Sequence, residues 1–288
     1  MIWLGLSIAT SSLLYVIFKY FAVFNVNRLH AIVFNYLVAF ITGIIAYRGD
    51  FLFDEILNAG WLPFSISLGI LFITIFNVMA LTSQKSGLSV AAVASKMSLV
   101  IPVIAGIWLY EESLGWIKAI GIIVALISVV LSSLKKRENT KLNKSLLILP
   151  LLLFAGSGAI DTIIKYAETT YVSDGKEPLF SAVCFLSAFI IGIGILIFEA
   201  SKGRYIKSKS VIAGVVLGIP NYFSIFFIIM ALKTAMASSV VWPINHVGTV
   251  LLTSVLGIVL FRERMSLRNY IGVGLAIAAI VVIAFAKA

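Results

Sequence analysis

Apolar residues fall in long runs separated by short polar joints, and the runs set the expected architecture. They cover about 3–22, 30–47, 61–82, 88–110 and 115–134, then about 145–167, 179–199, 211–232, 238–261 and 267–286. Each is close to the 17 to 25 residues a helix needs to cross a bilayer. An amphipathic joint, Phe51 to Gly60, separates the second run from the third, and Gln84-Lys85-Ser86-Gly87 reads as a tight turn. The one real linker is the charged stretch around Lys135-Lys136-Arg137. The expected fold is therefore all-α and membrane-embedded, with ten transmembrane helices. The expected domains are a first repeat at 1–134, a basic linker at 135–144 and a second repeat at 145–288.

The two halves carry a repeat. At an offset of 151, Glu263 falls on Glu112, Gly257 on Gly106, Leu260 on Leu109 and Ile271-Gly272 on Ile120-Gly121. An offset of 149 pairs Gly192 with Gly43, and one of 146 pairs Lys165-Tyr166 with Lys19-Tyr20 and Ser157 with Ser11. Identities among Ala, Leu and Ile carry little weight in an apolar chain. The acidic corner with its Gly-x-x-Leu and Ile-Gly in one register carries more. Five helices is an odd number, so the second half enters the membrane from the opposite side. The expectation is a pair of five-helix inverted repeats with a substrate site near the midplane.

Composition agrees on the solvent. The chain of 288 residues is 61% hydrophobic and only 12% charged, with mean hydropathy +1.11. A soluble domain carries roughly twice that charged fraction. A single Cys184 and two histidines leave no disulfide framework and make a Cys/His metal site unexpected; no cofactor is implied. The net charge of +10 is better explained by membrane-flanking loops than by nucleic acid. Fourteen of the 22 Lys and Arg residues lie in alternate loops on the side of the 135–144 linker, against five on the other side. The positive-inside tendency then places the linker in the cytoplasm and both termini outside.

The remaining three basic residues, Lys19, Lys96 and Lys165, lie inside apolar runs. A charge at bilayer depth normally faces a cavity or a partner. Lys96 stands some eight residues into the fourth run among Ser89, Ala91, Ala92, Ala94, Ser95 and Ser98. Such small neighbours leave room for a ligand, or let helices approach. In the ninth run Trp242, Asn245, His246, Thr249 and Thr253 share one helical face, with helix-helix hydrogen bonding as the plain alternative. His246 lies within one position of the repeat partner of Lys96. Ser157, Asp161, Lys165 and Glu168 form a second face, matched in the first run by Ser11, Tyr15 and Lys19. Asp161 and Lys165 can pair at i, i+4, as a structural ion pair or as a gate. Asn77 and Asn221 are weaker candidates. Signatures of hydrolases, metalloproteases and P-loop enzymes are absent, so an enzyme is not expected.

The motifs Ala231-Leu-Lys-Thr-Ala, Val241-Trp-Pro-Ile, Leu260-Phe-Arg-Glu263-Arg and Ile271-Gly-Val-Gly resemble the second repeat of an EamA-type member of the drug/metabolite transporter superfamily. Ala80-Leu-Thr-Ser, Ile101-Pro-Val, Leu109-Tyr-Glu-Glu112 and Ala119-Ile-Gly121 resemble the first. The resemblance covers almost the whole chain. It implies two inverted repeats, a central cavity lined by spans 1, 3, 4, 6, 8 and 9, and spans 5 and 10 at the periphery, where a homodimer could form. It also implies cytoplasmic termini, against the loop charges.

The resulting expectation is a secondary transporter of a small metabolite, such as an amino acid or organic anion. It would work by alternating access, as an exporter, in the cell (inner or plasma) membrane. Its partners would be the small-molecule substrate and the lipid bilayer. Lys96 and His246 would take an anionic group; Trp242 and Tyr15 would form walls. Asn245, Asn77 and Asn221 would add polar contacts, and Asp161 with Lys165 would gate or couple. A channel or membrane sensor on the same scaffold is the alternative.

Overall fold

The computed structural model describes residues 2–47, 53–102, 104–105, 116–133, 145–173, 175–232, 238–263 and 265–285. Among them the chain is all-helical, with no strand. Helices α1 (Ile2–Val23), α2 (Arg28–Ala46), the short α3 (Phe53–Leu57), α4 (Leu62–Lys85) and α5 (Leu88–Met97) precede α6 (Trp116–Ser133). Then come α7 (Ser145–Tyr171), α8 (Glu177–Ser201), α9 (Ser208–Leu232), α10 (Ser238–Phe261) and α11 (Leu267–Phe285). Seven helices in the described residues are long and apolar enough to cross a bilayer, as expected of a multi-pass membrane protein. The amphipathic joint after the second run forms α3.

The helix ends follow local chemistry. The Asn27 side chain accepts from the backbone N–H groups of Leu29 (3.1 Å) and His30 (3.5 Å), capping α2. At α11, Ser266 and Asn269 cap each other. The Asn269 N–H donates to Ser266 Oγ (3.3 Å), and the Ser266 N–H donates to Asn269 Oδ1 (3.0 Å).

One predicted run is not a continuous helix. The fourth, expected over 88–110, is helical to Met97, turns at 98–99 and is helical again at 100–102. The cause is Pro102. It has no N–H to give the Ser98 carbonyl, and its ring crowds that same oxygen. The Ile101 N–H takes the Ser98 carbonyl instead, at 2.8 Å. Residues 104–105 are helical as well; 103 and 106–115, with Glu112, lie outside the described residues, as does the linker around Asn139.

The described chain divides into two compact units, and each draws on both halves of the sequence. Unit 1 holds 1–20, 78–159 and 223–288; unit 2 holds 21–77 and 160–222. In unit 1, α10 packs against α5 and α11, and α6 runs along α11. Ile8 of α1 fits against Gly248 of α10. In unit 2, α2 packs on α8 through Gly43 against Ala182 and Gly192 against Val33. On another side α2 receives α9. There a Cβ at Gly214 would stand 2.7 Å from the Ala31 carbonyl, and one at Gly218 would stand 2.8 Å from the Asn35 carbonyl. Small residues permit this backbone approach, which supplies helix-helix attraction in lipid. An aromatic set of Tyr36, Phe72, Phe76 and Phe185 fills the interior of unit 2.

Candidate functional site

Unit 1 brings together the sharpest candidates. Lys96 lies on the last turn of α5 before the break at Ser98, half-buried. Its position at a helix C-terminus suits a cation, because the carbonyl end of the helix dipole is negative there. Around it the helix is small and buried: Ala91, Ala92, Val93 and Ala94 are each at most 1% exposed. Ser95 Oγ meets Ser157 Oγ of α7 at 3.4 Å, and Gly158 makes room for Ile101. The Ser98 hydroxyl donates to the Ser95 carbonyl at 2.5 Å, which ties off the broken turn.

On α10 the predicted polar face is buried. Asn245, His246, Thr249 and Thr253 are all at most 5% exposed. Lys96 on α5 is half-buried and His246 on α10 is buried, and these two helices pack against each other. The Thr249 hydroxyl donates to the Asn245 carbonyl (2.7 Å), a bond within the helix. Asn245 Oδ1, Thr253 Oγ1 and Ser254 Oγ are buried with no hydrogen-bond partner among the described residues. Ser12 Oγ on α1 is in the same condition, while Tyr15, one turn further along that helix, is 2% exposed. Buried polar atoms normally have partners; side-chain atoms of His30, Asn35, Tyr36 and Ser210 in unit 2 are in the same condition, so this feature is shared by both units.

Chemically, unit 1 offers an ammonium, an imidazole and several neutral polar atoms in an apolar surrounding. Lys96 supplies N–H donors and a charge, and His246 supplies at least one N–H in either protonation state. That set suits a carboxylate or phosphate.

Unit 2 holds Asn77, Asn221, Asp161 and Lys165; Asn221 joins two helices and Asn77 bonds within its own helix. The Asn221 amide donates to Asn35 Oδ1 at 3.2 Å, with both side chains buried, and pins α9 to α2. The Asn77 amide donates to the Ile73 carbonyl one turn earlier, at 2.7 Å. Asp161 is half-buried on α7. The side chains of Lys165 and Trp242 lie outside the described residues.

A shallow surface depression of about 510 Å3 opens at Glu55, Trp61, Tyr171 and Lys176, and none of the candidates lines it. There Lys176 Nζ stands 2.7 Å from Glu55 Oε1 and donates to the Tyr47 hydroxyl at 3.3 Å. The bond to Glu55, with help from Tyr47, raises the Lys176 ammonium above the ordinary lysine range. Such an exposed pair adds little to stability.

Sequence reasoning passed over two features. The helix break beside Lys96 was signalled by Pro102 standing four residues after Ser98. The second is the cluster around Glu263. The repeat marked that residue, but its partner Lys19 was assigned to a polar stripe. Lys19 Nζ stands 3.0 Å from Glu263 Oε1, and the Leu88 N–H donates to both carboxylate oxygens at 3.0 and 3.1 Å.

No family model matches the chain. It is 28% identical over 262 residues to an uncharacterized protein of Haemophilus influenzae, across 89% of this chain and 88% of that protein. Its fold is similar to that of a crystal structure described only as that of a protein, with a TM-score of 0.59. That similarity covers 97% of this chain and 95% of the other at 16% sequence identity, and it is a likeness of fold alone.

Proposed function

We propose that this protein is an EamA-type carrier of the drug/metabolite transporter superfamily, moving a small carboxylate- or phosphate-bearing metabolite by alternating access. Ten spans form two inverted repeats, 1–134 and 145–288, joined by a cytoplasmic linker in the cell membrane. The observation that carries the reading is Lys96. A cation stands at the broken end of α5, among small buried residues, on a helix that packs against the one carrying the buried His246. Helices interrupted near mid-membrane are how many carriers present charge to a substrate. The sequence repeat and the drawing of each unit from both halves support the duplicated layout.

Substrate class is tested on the purified protein by thermal shift. A ligand that binds only the folded state at a hundred times its Kd adds about 2.7 kcal/mol of stability. Carboxylates or phosphate esters are expected to raise Tm, and their amides or alcohols to leave it unchanged. Stabilisation by organic cations and not by anions would contradict the assignment of Lys96.

A further inference from the structure

We infer that Glu263 and Lys19 form a latch that holds one end of unit 1 shut over the candidate site and releases when that end opens. The inference rests on the carrier reading and concerns its gating.

Three helix ends meet at one carboxylate, and a fourth is tied in through Lys19. Glu263 follows α10, Lys19 lies near the end of α1, and Leu88 begins α5. Lys19 Nζ reaches the Glu263 carboxylate at 3.0 Å and also donates to the Ser83 carbonyl near the end of α4, at 3.1 Å. A second tie runs alongside, from the Gln84 amide to the Phe18 carbonyl at 2.9 Å.

The seat is built to fit. A Cβ at Gly87 or at Gly257 would each stand 2.9 Å from Glu263 Oε2, so the carboxylate occupies space that the two glycines leave open. Gly87 also has φ +115°, which other residues avoid. Arg262, just before the carboxylate, holds φ +49°, a left-handed conformation uncommon for its type. Pair and cap are largely shielded: the side chains of Lys19 and Glu263 are 21% and 15% exposed.

The latch is on the same helices as the site. Lys96 is eight residues beyond Leu88, about 12 Å along α5, and Tyr15 is one turn before Lys19 on α1. Parting α1 from α10 at this end breaks the ion pair, while the bonds from Leu88 can stay with Glu263. The latch can therefore open without uncapping α5.

The test reads access and not transport. Ser12 lies about 10 Å inside the latch along α1 and is fully buried. Ser12→Cys on a Cys184→Ser background, in nanodiscs without substrate, is labelled with a charged maleimide. Lys19→Met removes the ion pair and keeps the cap; Glu263→Gln does the same with a neutral acceptor. Both are expected to raise the labelling rate about tenfold, as losing roughly 1.4 kcal/mol from the closed state requires. Lys19→Arg, which keeps the charge, is expected to label more slowly than Lys19→Met. An unchanged rate in folded Lys19→Met protein overturns the latch. Loss of folded protein in both neutral variants overturns it too, because the cluster is then a permanent clamp. Faster labelling in a protein that transports nothing leaves the latch standing and removes the carrier.

Discussion

Lys96→Gln is expected to keep the folded protein and to abolish transport of an anionic substrate. Lys96 is half-buried, so removing the charge relieves part of the desolvation cost that a fully buried ion would carry, and folding does not suffer. Binding does suffer, because hydrogen bonds to a charged group contribute about 1.5–3 kcal/mol each, and Lys96 offers more than one. The expected loss in flux is on the order of a hundredfold or more. Lys96→Arg is expected to retain little, since a planar guanidinium cannot take the place of a compact ammonium at a tight turn. Flux and folding yield are measured on one preparation. Normal transport by Lys96→Gln contradicts the assignment; failure to fold makes Lys96 structural and moves the search to Asp161.

The second large effect is on stability. Gly214→Ala places a Cβ 2.5 Å from Phe34 Cβ and 2.7 Å from the Ala31 carbonyl. α2 cannot yield freely, because Gly43 and Gly192 seat α8 against it. Overpacking of this kind costs about 1–3 kcal/mol, and Gly214→Val is expected to cost more. Gly194→Ala is the control: nothing stands within 4 Å of a Cβ there. It is expected to be neutral or to stabilise by up to about 1 kcal/mol through helix propensity. Thermal unfolding in detergent reads both. Equal Tm values for Gly214→Ala and Gly194→Ala would contradict the packing described for unit 2.

The helices were legible because lipid imposes a length and a polarity on them, and those survive as apolar runs. α1, α2, α4 and α8 lie within a few residues of where the runs place them. Lys96 and His246 stood out in the sequence for a similar reason, and the structure adds their placement, half-buried on α5 and buried on α10. Pairings were not. That Asn221 donates to Asn35, or that Lys19 reaches Glu263, depends on which faces two distant helices turn to each other. Periodicity assigns residues to faces and leaves the facing partner open. The interruption after Met97 was readable in principle, because Pro102 acts on a known carbonyl. It was obscured because hydropathy ignores backbone hydrogen bonding.

The central claim is that this protein carries its substrate by alternating access. Counterflow tests it most directly. Proteoliposomes are preloaded with an unlabelled carboxylate that raised Tm, then diluted into a trace of the labelled compound. The account predicts transient accumulation of label above equilibrium, with saturable flux, and loss of both in Lys96→Gln. Label that only relaxes to equilibrium, with flux rising linearly in substrate, would mark a channel and contradict it.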